Sequence, residues 1–171
     1  MRIETPRLVL RRWVGADVDD LAQLHSHPAV AAWLGPLTRE DAETTVSRYE
    51  HHWDVHGFGR FAVADRATGT LAGRVGVMRQ PDWEATVERD EVGWVIAAER
   101  WGEGLATEAA AAAIADAFGR VRLERLVSWT TPDNLASRRV MEKCGLRHRG
   151  TAAWKGREHV WYDVRSTGRR A

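Results

Sequence analysis

The residues whose types and spacing best suit chemistry lie between Val95 and Glu108, in VIAAERWGEGLATE. An apolar strand runs into a turn broken by Gly102 and Gly104 and straight on into an alanine-rich helix. Backbone N–H groups at such a helix start, together with the helix dipole, make an anion site. Glycines let the chain approach a pyrophosphate closely, and Arg100 adds a mobile positive charge. The same pattern also reads as a tight strand-to-helix turn whose glycines serve geometry alone. Two other phosphate loops are excluded. A dinucleotide fingerprint starting at Gly102 needs glycine at 107, where Thr107 stands, and antiparallel strands precede the segment. A Walker loop needs GKS or GKT, and neither follows.

Other chemistries find weaker support. His52 and His56 are four apart and would face one another on a helix. No third ligand accompanies them, Asp54 points off that face, and HExxH is absent, so no metal is expected. Cys144 shares a helix face with Ala136 and Val140 and reads as core. Of nine Trp, four (Trp33, Trp83, Trp94 and Trp129) sit in or beside segments that should border a cleft. Core packing is the ordinary role of each, and cation–π contact with an amine is the functional alternative.

These residues need elements to position them. Arg7–Trp13 reads as a first strand and 17–25 as a short helix with Pro28 just beyond. Thr38 with Asp41 makes a capping-box start for a helix carrying Val46, Tyr49 and Trp53 and stopped by Gly57. Stretches 61–65 and 71–78 flank DRATG and form an antiparallel hairpin. Val92–Ala98 is apolar on both faces, as in a central strand. A helix over 105–118, a buried strand over 126–131, a helix from Asn134 to Gly145 and two last strands near 147–154 and 159–165 complete the order. The expected fold is a mixed α/β (α+β) domain: one mostly antiparallel sheet of six to seven strands flanked by about four helices.

Composition bounds the rest. The chain has 171 residues, 44% hydrophobic and 29% charged, with 25 basic residues against 24 acidic ones. One domain over 1–171 is expected, with 166–171 as a frayed tail. The balance of +1 argues against a nucleic-acid grip or an anionic-membrane surface. One cysteine excludes an internal disulfide framework. With no apolar run of membrane length and no signal-like start, a cytoplasmic location is expected. The preference for Arg over Lys reads as genome composition.

Three segments together resemble a GNAT-superfamily acyltransferase of the RimJ/RimL-like branch: ETPRLVLRRW at 4–13, EVGWVIAAERWGEGLATEA at 91–109 and TTPDNLASRRVMEKCGLRHRG at 130–150. The element order agrees over nearly the whole chain. The superfamily loop usually reads Gln/Arg-x-x-Gly-x-Gly/Ala; here Gly104 and Ala106 fill the last positions, but Trp101 stands first and Arg100 one residue earlier. The resemblance implies acetyl-CoA as co-substrate, with no metal. Its pyrophosphate would meet the backbone of Trp101, Gly102, Glu103, Gly104, Leu105, Ala106 and Thr107, with Arg100 beside it. Its pantetheine arm would pair with Val95 and Ile96 and meet Asn134.

Acetyl transfer to an amine needs a neutral amine, a donor for the thioester oxygen and a proton for the departing thiolate. The resemblance places Glu91 where the acceptor meets the thioester, as a base whose carboxyl burial would tune, or as a group that only orients the amine. Glu88, His148 and Glu158 are weaker alternatives. The tyrosine acid of many superfamily members falls here on Met141, which cannot donate. Ser137, one turn after Asn134, is the candidate acid and a further cofactor contact, with proximity alone as the other mechanism. Trp33, Glu91 and Trp129 are the candidate acceptor-binding residues. The expected function is acetyl transfer from acetyl-CoA to a primary amine, of a protein N-terminus or a small molecule, by direct attack in a ternary complex. A non-catalytic acyl-CoA-binding module is the alternative, and the resemblance allows a homodimer.

Overall fold

The computed structural model describes residues 1–167, so most of the expected frayed tail, 168–171, lies outside the described residues. The strands are β1 (Arg2–Glu4), β2 (Leu8–Arg11), β3 (Arg60–Asp65), β4 (Leu71–Arg79), β5 (Asp90–Ile96), β6 (Arg125–Thr130), β7 (Arg147–Trp154) and β8 (Arg157–Arg165). The helices are α1 (Asp17–Ser26), α2 (Pro28–Leu34), α3 (Arg39–His56), α4 (Leu105–Gly119) and α5 (Leu135–Lys143). The strands form one sheet in the order β1-β2-β3-β4-β5-β6-β8-β7. Every neighbouring pair is antiparallel except β5 with β6, which α4 joins as a crossover.

Among the described residues, eight strands replace the expected six to seven, and five helices the expected four. The extra strand comes from the start of the chain. Pro6 has no N–H to donate, and Thr5 N–H bonds back to the Leu8 carbonyl, so the chain folds over and Arg2–Glu4 pairs with β2. The extra helix is α2. α1 ends at Ser26 and His27 is extended before the proline; Pro28 then opens the next helix at its first turn, where the missing N–H costs nothing, and His27 Nδ1 caps that turn by accepting from Ala29 N–H at 3.2 Å. The capping box at Thr38 and Asp41 is present, each residue bonding the other's backbone. Asp65 Oδ1 ties the hairpin turn by accepting from Ala67 and Thr68 N–H.

The sheet divides two cores. On one face α4 packs Leu105, Ala109, Ala113 and Ile114 against Val63, Val75, Val92 and Ile96. On the other, α1 and α3 pack Leu21, Leu24, Val46 and Tyr49 against Ala62, Met78 and Val95. Alternation along β5 therefore sends Val92 and Ile96 to α4, and Glu91, Gly93 and Val95 to α1–α3.

Candidate functional site

β5 and β6 are neighbours that pair only at Glu91 with Val127. Past that point the two strands diverge, and the β5 edge facing β6 has no ladder partner among the described residues. The wedge opens into a cleft of about 990 Å³. It is lined by every expected cofactor residue except Glu103, and by Trp33, Glu91 and Trp129.

At the mouth of the wedge the chain makes a 3-10 turn at Ala98–Arg100 and crosses Gly102 and Gly104 into α4. Gly104 sits at φ 81° as the N-cap and offers no side chain to the helix. The first helical bond runs from Glu108 N–H to the Gly104 carbonyl. The N–H groups of Leu105, Ala106 and Thr107 therefore have no partner within the helix and carry its positive dipole end. This is a fit for a phosphate group held by backbone.

The side-chain charge expected there is not mobile. Arg100 is held by Glu103 at 2.8 Å and Asp65 at 3.1 Å, and those hydrogen bonds push its pKa above the ordinary arginine value. Glu103 serves this clamp rather than the cleft wall. Trp101 donates its indole N–H to the Ile96 carbonyl at 2.7 Å, tying the turn to the free end of β5.

Glu91 is buried and paired with Arg60, their side chains being 10% and 6% exposed. Arg60 arises on β3, crosses β4 and also donates to the carbonyls of Gly76 and Gly93. A Cβ on Gly93 would lie 2.4 Å from Glu91 Oε1 and 2.9–3.0 Å from the guanidinium, so glycine there is what makes room for the pair. Glu88, by contrast, pairs with Arg125, and neither it, His148 nor Glu158 lines the cleft.

Across the wedge, Asn134 caps α5 by accepting from Ser137 N–H at 3.1 Å, and both residues line the cleft. Met141 is fully buried in the core beneath them. Trp129 stacks on Trp83 at 4.0 Å and 3°, and Trp33, 37% exposed, stands on the opposite wall at the end of α2.

Of the histidine pair, His52 is structural. His52 Nδ1–H donates to the Phe58 carbonyl at 2.7 Å and its Nε2 accepts from Arg79 N–H, so both ring nitrogens are used. Sequence reasoning missed Arg60, Arg74 and Arg48 in the cleft wall. For Arg74 a signal existed: it is the one charge within LAGRVGVM, a strand otherwise apolar. For Arg60 there was none, because only tertiary contact brings it to Glu91.

The likeness to known proteins covers this whole arrangement. Residues 7–147 match the acetyltransferase (GNAT) domain family. The chain is 30% identical over 168 residues to the uncharacterized N-acetyltransferase YnaD of Bacillus subtilis, covering 95% of this chain and 93% of that protein. It is 26% identical to a crystallised acetyltransferase from Agrobacterium tumefaciens, with a TM-score of 0.84 over 97% of this chain and 95% of the other. RimL, the ribosomal L7/L12 α-N-protein acetyltransferase solved with coenzyme A, shares the fold at 18% identity and a TM-score of 0.79, covering 96% of this chain and 98% of that one. The family match runs from the residue before β2 to the first residue of β7, and so takes in the wedge and both helices beside it: the chain belongs to the GNAT acetyltransferase family.

Proposed function

We propose that this protein transfers the acetyl group of acetyl-CoA to a primary amine by direct attack within a ternary complex. The observation that carries the reading is the wedge between β5 and β6 ending at the amide-rich start of α4. An unpaired strand edge can hold an extended amide-bearing arm as a further strand would, and the helix start can hold its phosphates. Acetyl-CoA supplies an acetyl group already activated as a thioester.

The residues of the chain do the rest. The backbone of Val95 and Ile96 positions the arm, and Asn134 meets it from α5. The N–H groups from Gly102 to Thr107 hold the pyrophosphate, the Trp101 N–H being spent on the Ala98 carbonyl at 3.1 Å, with Arg100 fixing the shape of the turn through Asp65 and Glu103. Glu91 faces the acceptor. Its Oε2 is committed to Arg60, so we assign it to attracting and orienting the ammonium form of the amine, which loses its proton to solvent before attack. As nitrogen bonds to the carbonyl carbon and the carbon–sulfur bond breaks, the Ser137 hydroxyl donates a hydrogen bond to the departing sulfur, and the proton that the nitrogen sheds converts the thiolate to the CoA thiol. Trp33 and Trp129 form the acceptor walls.

The deciding experiment is thiol release from acetyl-CoA with peptides, polyamines, amino acids and aminoglycosides as acceptors, alongside calorimetry with acetyl-CoA alone. Binding heat and amine-dependent thiol release are expected. Binding without release under any acceptor would reduce the protein to an acyl-CoA-binding module, and no binding at all would remove the reading.

A further inference from the structure

Arg74 is a cation in the wall of this cleft that forms no ion pair among the described residues. It lies on β4 opposite Val95 and faces α1–α3, as do Gly76 and Met78 along the same strand. Its Nε is shut away from solvent and has no hydrogen-bond partner. Among the described residues its guanidinium forms no ion pair; its contact is the face of Tyr49, 6.0 Å from the ring centre. Burial pulls its pKa below the ordinary arginine value, since desolvation outweighs the nearby charges. A half-buried guanidinium whose Nε is shut off from solvent and that has no carboxylate is costly, and the folded chain keeps this one in the wall of the cleft.

The surroundings add positive charge rather than cancel it. Arg48, 5.6 Å from the centre of the same ring, also lines the cleft and also forms no ion pair among the described residues. Glu91, the carboxylate of this face, belongs to Arg60. Arg79 is matched by Asp90 at 2.9 Å. Beside Tyr49 the cleft thus presents two guanidiniums, Arg74 and Arg48, that form no ion pair among the described residues. A polycationic acceptor would be repelled there, whereas a carboxylate would find a planar fork of donors in a water-poor setting, where such a pair is strongest.

Resting on the acetyltransferase reading above, we propose that the acceptor is a small amine that also carries a carboxylate, held by Arg74 with Arg48 at the rim. Arg74 and Glu91 point from one face of adjacent strands, their register positions four residues apart along β5. That is about 14 Å of backbone, spanned from both ends by long side chains. One small molecule therefore reaches both, its ammonium toward Glu91 and its carboxylate on Arg74. The pyrophosphate of the co-substrate is served separately by the α4 amides, beyond the end of β5.

The test compares free amino acids with their carboxamides, which lack the carboxylate and have a less basic amine, so kcat/KM is compared per neutral amine. With wild-type protein, thiol release should favour the acids by tenfold or more in kcat/KM. In Arg74→Gln that preference should vanish through KM, and Arg74→Lys should restore part of it. Calorimetry of N-acetyl amino acids against their amides in the presence of CoA gives the same comparison without turnover. Acetyl-CoA affinity and the thermal midpoint of each variant report on the other site and on folding. Equal use of acids and amides overturns the proposal, as does absence of binding by either product. So does a loss of acetyl-CoA affinity in a folded Arg74→Gln, which would assign the arginine to the co-substrate. Failure of wild-type protein to bind acetyl-CoA instead overturns the underlying reading.

Discussion

Arg60 crosses β4 to pair with Glu91 on β5, over a gap kept open by Gly93. The pair sits where β5 makes its one ladder pairing with β6, so it anchors the point from which the wedge opens. A buried pair of this kind adds little net stability over an apolar replacement, but breaking one half of it is expensive.

Glu91→Gln should therefore lower stability by ~3–5 kcal/mol, because Arg60 is left buried and uncompensated. The reaction rate should fall as well, with the shape of the pH–rate profile unchanged. A profile that loses its acid limb would make Glu91 the base instead. Gly93→Ala should produce a milder version of both effects, since its Cβ forces the two side chains apart at a cost of ~1–3 kcal/mol. Thermal melts and steady-state kinetics check both.

Gly104→Val should abolish measurable acetyl-CoA binding while the protein still folds. Open space surrounds the new side chain, the nearest atom being Arg7 Nη2 at 3.8 Å. The backbone at φ 81° is the obstacle, a strain of ~1–2 kcal/mol or more for a β-branched residue. Relief of that strain moves the amides at the start of α4. Calorimetry with acetyl-CoA, beside a melting curve, separates the two effects.

Acid should destabilise the protein earlier than carboxylates alone would. His25 and His52 both have pKa values lowered from 6.5, chiefly by burial. The unfolded chain then binds more protons than the folded one wherever pH lies below the unfolded value and above the folded one. Their contribution is complete above about pH 6.5 and is lost as pH falls through the folded values. The thermal midpoint should be flat near neutrality and decline below about pH 6.5. A midpoint that rises on mild acidification would contradict this assignment.

Cys144 should be inert. Burial raises its thiol pKa to about 11, and its Sγ contacts the Thr107 carbonyl at 3.7 Å. Alkylating reagents attack the thiolate, so modification near pH 8 should be far slower than for a free cysteine. Cys144→Ser should retain most acetyl-transfer activity, as expected if the acetyl group passes directly to the amine. Intact-mass measurement after timed alkylation checks the first point.

Much of the local structure is legible in the sequence because it depends on neighbours in the chain. The capping box at Thr38 and Asp41, the DRATG hairpin, the alanine-rich α4 and the glycine turn before it all obey short-range rules. The two elements that such rules miss, β1 and α2, both turn on a proline. Pro6 breaks the chain between two paired strands, whereas Pro28 opens a helix, and the partner that decides between these roles is set by packing rather than by the proline itself.

The amino-acid sequence by itself determined the α/β order apart from β1 and α2, the glycine turn that leads into α4 and the near-neutral charge. Tertiary structure alone decided three things. It splayed β5 from β6 after one residue pair, it carried Arg60 across a strand to Glu91, and it left Arg74 and Arg48 beside Tyr49 without an ion pair among the described residues. The physical reason is range. Caps, turns and periodicity act over a few residues, whereas a buried charge acquires its partner, or fails to, only when strands distant in sequence are packed side by side.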